Sequence, residues 1–285
     1  MIATSKPISL VLPMPGGALV AVALIALFLA GCQSVRPDSL GSGSIGIDPS
    51  VASKTNIQSL STVIAQNPGD ANAYNVRGTV YGKAGEYKAA LADFDTAVQL
   101  DPSFSQAYSN RALVFRQIGK TKKALADYNR AIQTNAGYAP AYVGRGNIMR
   151  QDGRLDLALA DYNTAINLNP NDAKAYHNRA LIHQTQGRHQ QAIEDFTSAI
   201  GISPASAEPY NGRGLSYLAL GDAKTALVDI NESLRRDKSS YLAWTNQGLA
   251  LEQLGDKKKA RAAFVHAISL NPKYTPARDG MRRTG

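Results

Sequence analysis

Residues 173–206 read AKAYHNRALIHQTQGRHQQAIEDFTSAIGISPAS, and the chain writes variants of that stretch six times in succession. The copies occupy 71–104, 105–138, 139–172, 173–206, 207–240 and 241–274, each 34 residues long. Gly85, Gly119, Gly153, Gly187, Gly221 and Gly255 mark position 15 of every copy without a slip. A fixed period of this length makes the fold a question about one unit and how it stacks.

Counting within a copy, position 4 is always a ring: Tyr74, Tyr108, Tyr142, Tyr176, Tyr210 and Trp244. Position 8 is Gly or Ala, position 20 is always Ala, and position 24 is bulky, as in Phe94, Tyr128, Tyr162, Phe196, Ile230 and Phe264. Positions 4, 8 and 11 share one helical face, and positions 20, 24 and 27 share another. Glycine at position 15 can take the left-handed conformation that ends the first helix. Pro102, Pro170, Pro204 and Pro272 at position 32 push the preceding residue out of the helical region and end the second. Small residues at 8 and 20 let the two helices approach, and the rings fill the space beside them.

This pattern resembles the tetratricopeptide repeat over about three quarters of the chain. Ala136 and Lys238 depart from it in place of proline, as do Met149, His183 and Leu251 in place of the aromatic at position 11. Sel1-like repeats are the nearest helical relative, but they run slightly longer. The resemblance implies an all-α, right-handed superhelical solenoid, with first helices on the concave side and second helices on the convex side. One unit alone cannot bury its apolar face, so neighbours must stack.

Residues 1–31 read as a secretory leader. They carry one charge, Lys6, and a thirteen-residue apolar run from Ala18 to Ala30, too short to span a bilayer as a helix. Leu29-Ala30-Gly31-Cys32 resembles the lipobox of bacterial lipoproteins, which implies lipid attachment at Cys32, the chain's one cysteine. Gln33 after it implies the outer membrane facing the periplasm, with the inner membrane as the alternative. Residues 32–50 are rich in Gly, Ser, Pro and Asp and are expected to form a flexible tether of roughly 25 Å reach. Residues 51–70 hold a lone amphipathic helix, Lys54 to Gln66, in register as the second helix of a degenerate copy, and it is expected to cap the solenoid. Residues 275–285 are expected to be a short polar tail that leaves the last surface partly open.

Two recurrences concern function. Position 7 is arginine in five copies (Arg77, Arg111, Arg145, Arg179, Arg213) and Gln247 in the sixth. Position 23 is aspartate in the same five (Asp93, Asp127, Asp161, Asp195, Asp229) and Ala263 in the sixth. Because both change together, they are expected to pair as structural Arg–Asp bridges. The resemblance places positions 2, 5, 6, 9, 12 and 13 in the groove. It therefore implies a partner-binding set of Asn110, Arg116, Gln117, Arg150, Gln151, Lys174, His177, Asn178, Gln184 and Asn246. Lys174 and Asn178 match the first step of the carboxylate clamp of one subgroup. Gly212 breaks the second step and Leu242 the third, so that clamp is not expected.

Chemistry has little foothold. The four histidines do not share a helical face at metal-ligand spacing, and no nucleophile elbow or phosphate loop appears. Neither an enzyme nor a cofactor or metal is expected. A net charge of +9 raises nucleic acid as a partner, but an exported lipoprotein without any RNA- or DNA-binding signature argues against it. Much of that charge lies at turns, as in Lys257, Lys258 and Lys259. The expected role is a lipid-anchored scaffold or adaptor that takes a protein or peptide into its groove. Envelope assembly and regulation are the settings known for similar lipoproteins. The alternative is a structural lipoprotein that self-associates through its C-terminal end.

Overall fold

The computed structural model describes residues 54–285, so the leader, Cys32 and the tether lie outside the described residues. Every element described is a helix. A single helix, α1 (Lys54–Gln66), precedes six hairpins. These are α2 (Ala71–Lys83) with α3 (Tyr87–Leu100), α4 (Ser105–Gln117) with α5 (Thr121–Thr134), and α6 (Ala139–Gln151) with α7 (Leu155–Leu168). Then come α8 (Ala173–Thr185) with α9 (His189–Ile202), α10 (Ala207–Ala219) with α11 (Ala223–Arg236), and α12 (Tyr241–Gln253) with α13 (Lys257–Leu270). A last helix, α14 (Thr275–Arg283), follows. Each hairpin packs within itself and on its neighbours, which makes this unit a right-handed helical solenoid.

Residue size explains the packing. Ala90, Ala124, Ala158, Ala192, Ala226 and Ala260 are fully enclosed, and the position-24 side chains beside them are buried to within 2 %. Burying each of these large side chains contributes roughly 1.5–3 kcal/mol. At position 6, Gly144 and Gly212 receive the preceding copy's ring: an added Cβ would lie 2.3 Å from Tyr128 and 2.4 Å from Phe196. The six turn glycines sit at φ between +71° and +86°, where a side chain is strained.

Helix two ends at position 30 in every copy, including those without proline. Its stop lies one residue later. Asp101, Asn135, Asn169, Asp237 and Asn271 are extended, and each accepts a backbone N–H from two residues on at 2.8–3.2 Å. This side-chain turn competes with the helix for the backbone donor and ends it.

The C-terminal residues correct the expectation of a tail. α14 stands in register as the first helix of a seventh copy. Ala277 is fully buried, and Gly280 occupies position 6, where an added Cβ would lie 2.4 Å from Phe264. Arg283 fixes its end by donating from Nε and Nη2 to the two carboxylate oxygens of Glu252, each at 2.8 Å. Length and polarity concealed it because a capping helix needs only one small apolar face.

Candidate functional site

The five arginines at position 7 are saturated. In each copy Nε and Nη2 donate to the two oxygens of the position-23 aspartate at 2.6–2.9 Å, from the first helix to the second of the same hairpin. The Asp161 hydrogen bond raises Arg145 further above its already high pKa, against the effect of burial. Nη1 reaches back to position 25 of the preceding copy: Ser61, Asp95, Asn129, Asn163 and Thr197. Each guanidinium also lies 5.4–5.9 Å from the ring at position 4. One arginine thus joins three helices of two copies. In copy six only the backward link persists, from Gln247 Nε2 to Asn231 Oδ1 at 2.7 Å. A shallow cavity of about 430 Å³ opens there, lined in part by Trp244, Gln247, Ala263 and His266.

On the groove side the expected binding residues divide into two groups. Asn110 is not available to a ligand, because its Nδ2 donates to buried Asn75 Oδ1 at 2.9 Å and lies 3.3 Å from Thr79 Oγ1. Asn246 does the same with Asn211 Oδ1 at 2.9 Å. Position 6 of one copy therefore bonds position 5 of the copy before, a correlation invisible within a single copy. Gln184 is occupied as well, donating to Gly212 O at 2.7 Å and Ser216 Oγ at 2.8 Å. Buried amides are paired wherever a partner stands, and these stitch the copies together.

In the middle of the groove the stitching lapses. Asn178, on α8, would need a partner at position 5 of copy three, where Val143 stands, and its side chain makes no hydrogen bond among the described residues. The residue facing His177 in that register is Gly212, which has no side chain to offer. His177 Nδ1 is buried without a partner, and the ring packs 5.5 Å from Phe196. Burial, and then the charge of Arg150, bring the imidazole down to about 4, so it is neutral near pH 7. Arg150 Nε is likewise buried without a partner. Arg116 and Arg150 both act on Tyr162, whose hydroxyl burial pushes up to about 12 and which donates to Asn147 Oδ1 at 2.8 Å. Gln117, Gln151 and Lys174 are exposed along the same helices. Three more buried polar atoms without partners, on His183, Gln186 and His189, cluster at the turn between α8 and α9.

This arrangement can hold a ligand by charge and hydrogen bonds. Among the described residues, no group of histidine, cysteine, aspartate or glutamate is placed to hold a metal ion.

The fold has many known counterparts. One chain of the APC/C hetero-tetramer Cut9–Hcn1 matches with a TM-score of 0.72 at 18% identity, over 83% of this chain and 47% of that one, so this chain spans about half its length. PilF of Pseudomonas aeruginosa matches with a TM-score of 0.69 at 17% identity, over 75% of this chain and 97% of that one. YrrB, described as a TPR protein with an unusual peptide-binding site, matches with a TM-score of 0.50 at 22% identity, over 66% and 96%. At such identities the likeness is one of fold. No curated protein sequence matches the chain. Sequence models described as tetratricopeptide repeat match residues 57–102, 75–140, 173–206 and 241–274, and one described as TPR repeat matches 146–187. The six-copy period, the stacked hairpins and these matches agree, and the chain belongs to the tetratricopeptide repeat family.

Proposed function

We propose that this protein is a non-catalytic scaffold, held to the bacterial cell envelope by lipid on Cys32 and facing the periplasm, that receives a protein or peptide segment in its concave groove. The observation that carries the groove is the lapse in amide stitching at copies three and four. There, polar side chains that the ends of the solenoid spend on each other are left for a partner. Unspent buried polar groups are costly unless something binds them, so they mark where a ligand repays its desolvation. YrrB, with its peptide-binding site, supports this use of the fold. The anchor and the compartment rest on the leader and on Leu29-Ala30-Gly31-Cys32.

A photo-crosslinker placed at Asn178 of the full chain, in its own membrane, tests the groove. It should capture a discrete protein that the same group at Val228, which is 69 % exposed, does not. Equal capture at the two positions, or none at Asn178, would remove the groove from consideration. Mass spectrometry of the mature N-terminus tests the anchor independently, since an unmodified chain beginning at Met1 would end it. The alternative reading is self-association at the C-terminal end, where α14 covers Phe264, and light scattering of the protein over a range of concentrations tests it.

A further inference from the structure

Copy six loses more than an ion pair where the other five hairpins have their tie. In copies one and two the position-7 guanidinium lies near two rings: Arg77 is 5.7 Å from Tyr74 and 5.9 Å from Tyr81, and Arg111 is 5.4 Å from Tyr108 and 5.9 Å from Phe115. The second ring of each set stands at position 11, which is Leu251 in copy six. Three side chains therefore shrink at one place: arginine to Gln247, aspartate to Ala263 and a ring to Leu251. All three line the cavity of about 430 Å³, a size within the roughly 300–1,000 Å³ of small-molecule sites.

The lining selects what can enter. Trp244 is the one ring of the tie that remains, and it is held in place: its Nε1 donates to Lys238 O at 2.9 Å, and His266 packs against it with ring centroids 4.1 Å apart. Leu227, Leu251 and Ala263 add aliphatic surface. None of the lining residues is acidic, and the lysine among them, Lys259, is bound by Asp256 at 2.8 Å. The polar element is the pair Gln247 and Asn231, which share one hydrogen bond of 2.7 Å and make no other among the described residues. Each amide spends one group on the other, so together they keep a donor and an acceptor, and interchanging O and N in both leaves the same count. A hydroxyl group answers both at once, and does so without charge.

We infer that this cavity binds a phenolic ring, carried by a free aromatic compound or by a tyrosine side chain. The ring stands against Trp244, where the other hairpins hold a guanidinium, and its hydroxyl meets Gln247 and Asn231. A cation is disfavoured, because the aspartate that offsets its desolvation in the other five copies is missing. The exposed lining residues, Asn231, Lys259, Ala262 and His266, come from α11 and α13. The mouth thus opens between second helices, away from the concave groove, and the site stands or falls apart from that groove.

Trp244 is the chain's one tryptophan, so the indole N–H resonance of the isotope-labelled full chain reports on this wall alone. The probes are p-cresol, toluene, methylguanidinium and N-acetyltyrosinamide. p-Cresol should shift the resonance saturably, with a dissociation constant on the order of 1 mM. It should bind roughly three- to tenfold more tightly than toluene, and at least roughly tenfold more tightly than methylguanidinium. N-acetyltyrosinamide binding as well as p-cresol would assign the ring to a protein's tyrosine, and its exclusion would assign it to a free phenol. Leu251→Tyr restores the ring of copies one and five and should abolish the shift while far-UV circular dichroism stays that of the parent. Should that variant fail to fold, Gln247→Leu decides: it should bring p-cresol down to the affinity of toluene and leave toluene binding intact. No saturable shift with p-cresol, an undiminished shift in folded Leu251→Tyr, or tighter binding of methylguanidinium would overturn the site. Toluene binding as tightly as p-cresol to the parent would overturn the assignment of a hydroxyl.

Discussion

Arg145 and Arg150 stand five residues apart on α6 and have opposite fates. Arg145 is bonded twice to Asp161 and once to Asn129, and lies over Tyr142, whereas Arg150 buries a nitrogen that nothing contacts by hydrogen bond. The difference follows their recurrence. Arginine at position 7 returns in five copies, always with its aspartate, because every hairpin needs the same tie. At position 12 the residues run Gly82, Arg116, Arg150, Gln184, Leu218 and Glu252, so arginine there is confined to two neighbouring copies. A demand of the fold repeats with the fold, and a demand of a ligand is local.

Truncation gives the largest test of that contrast. Arg145→Ala strands Asp161, which is 5 % exposed, and should cost about 3–4 kcal/mol of stability, the loss expected when one member of a buried pair is removed. Arg150→Ala should cost less than about 1 kcal/mol, since no buried acid is stranded. Urea unfolding of the two variants compares them. Similar losses would mean that the contact of Arg150 with Tyr162 ties the fold as firmly as the aspartate does.

Titration probes the groove side. An exposed histidine in the unfolded chain takes its proton near pH 6.5, whereas His177 in the fold does so only near 4. Between those values the unfolded state binds more protons, so stability must fall as pH drops. The contribution of His177 should be a loss of about 2 kcal/mol by pH 5. His183 is lowered too, so the variant His177→Phe isolates the effect: its stability should decline with falling pH by that much less. An unchanged slope would show that His177 is solvated in the fold.

The contrast also explains what the sequence could and could not disclose. Six copies in strict register make the hairpins, the buried rings and the Arg–Asp partners legible, because a contact within one copy is written six times. Contacts between copies are written once or twice. Asn110 and Asn246 read as groove donors within one copy, but their amides go to Asn75 and Asn211 at position 5 of the preceding copies. Proline at position 32 points to the end of helix two, yet α5 and α11 end at the same place without it. The turn-forming Asp or Asn at position 31 carries the signal in the copies that lack proline. The backward contact from position 7 to position 25 was hidden because Ser, Asp, Asn and Thr all satisfy it.

Asparagine at position 6 offers a finer version of the same contrast. Asn110→Ala leaves Asn75, 1 % exposed, without its partner and should cost about 1–2 kcal/mol. Asn178→Ala removes no hydrogen bond within the chain and should lie within about 0.5 kcal/mol of the parent. Hydrogen exchange in α2 and α8 reads the two effects where they occur. A large loss at Asn178 would mean that the middle of the groove is stitched as firmly as its ends.

Copy six allows the smallest effect to be built rather than removed. Gln247→Arg with Ala263→Asp would write the tie of the other five copies into the one that lacks it. Asn231 already stands at position 25 to take the third hydrogen bond, and Trp244 stands at position 4 to receive the guanidinium. The cavity of about 430 Å³ beside Gln247 and Ala263 leaves room for the longer side chain. Because desolvation of two charges offsets most of their attraction, the expected gain is no more than about 1 kcal/mol. Slower exchange of the α12 and α13 amides would record it. Each single change should be worse than the pair, since either alone places one charge in a half-buried site without its opposite. If Gln247→Arg alone stabilises the copy as much as the pair does, then the link to position 25 and the ring, rather than the aspartate, is what every other hairpin relies on.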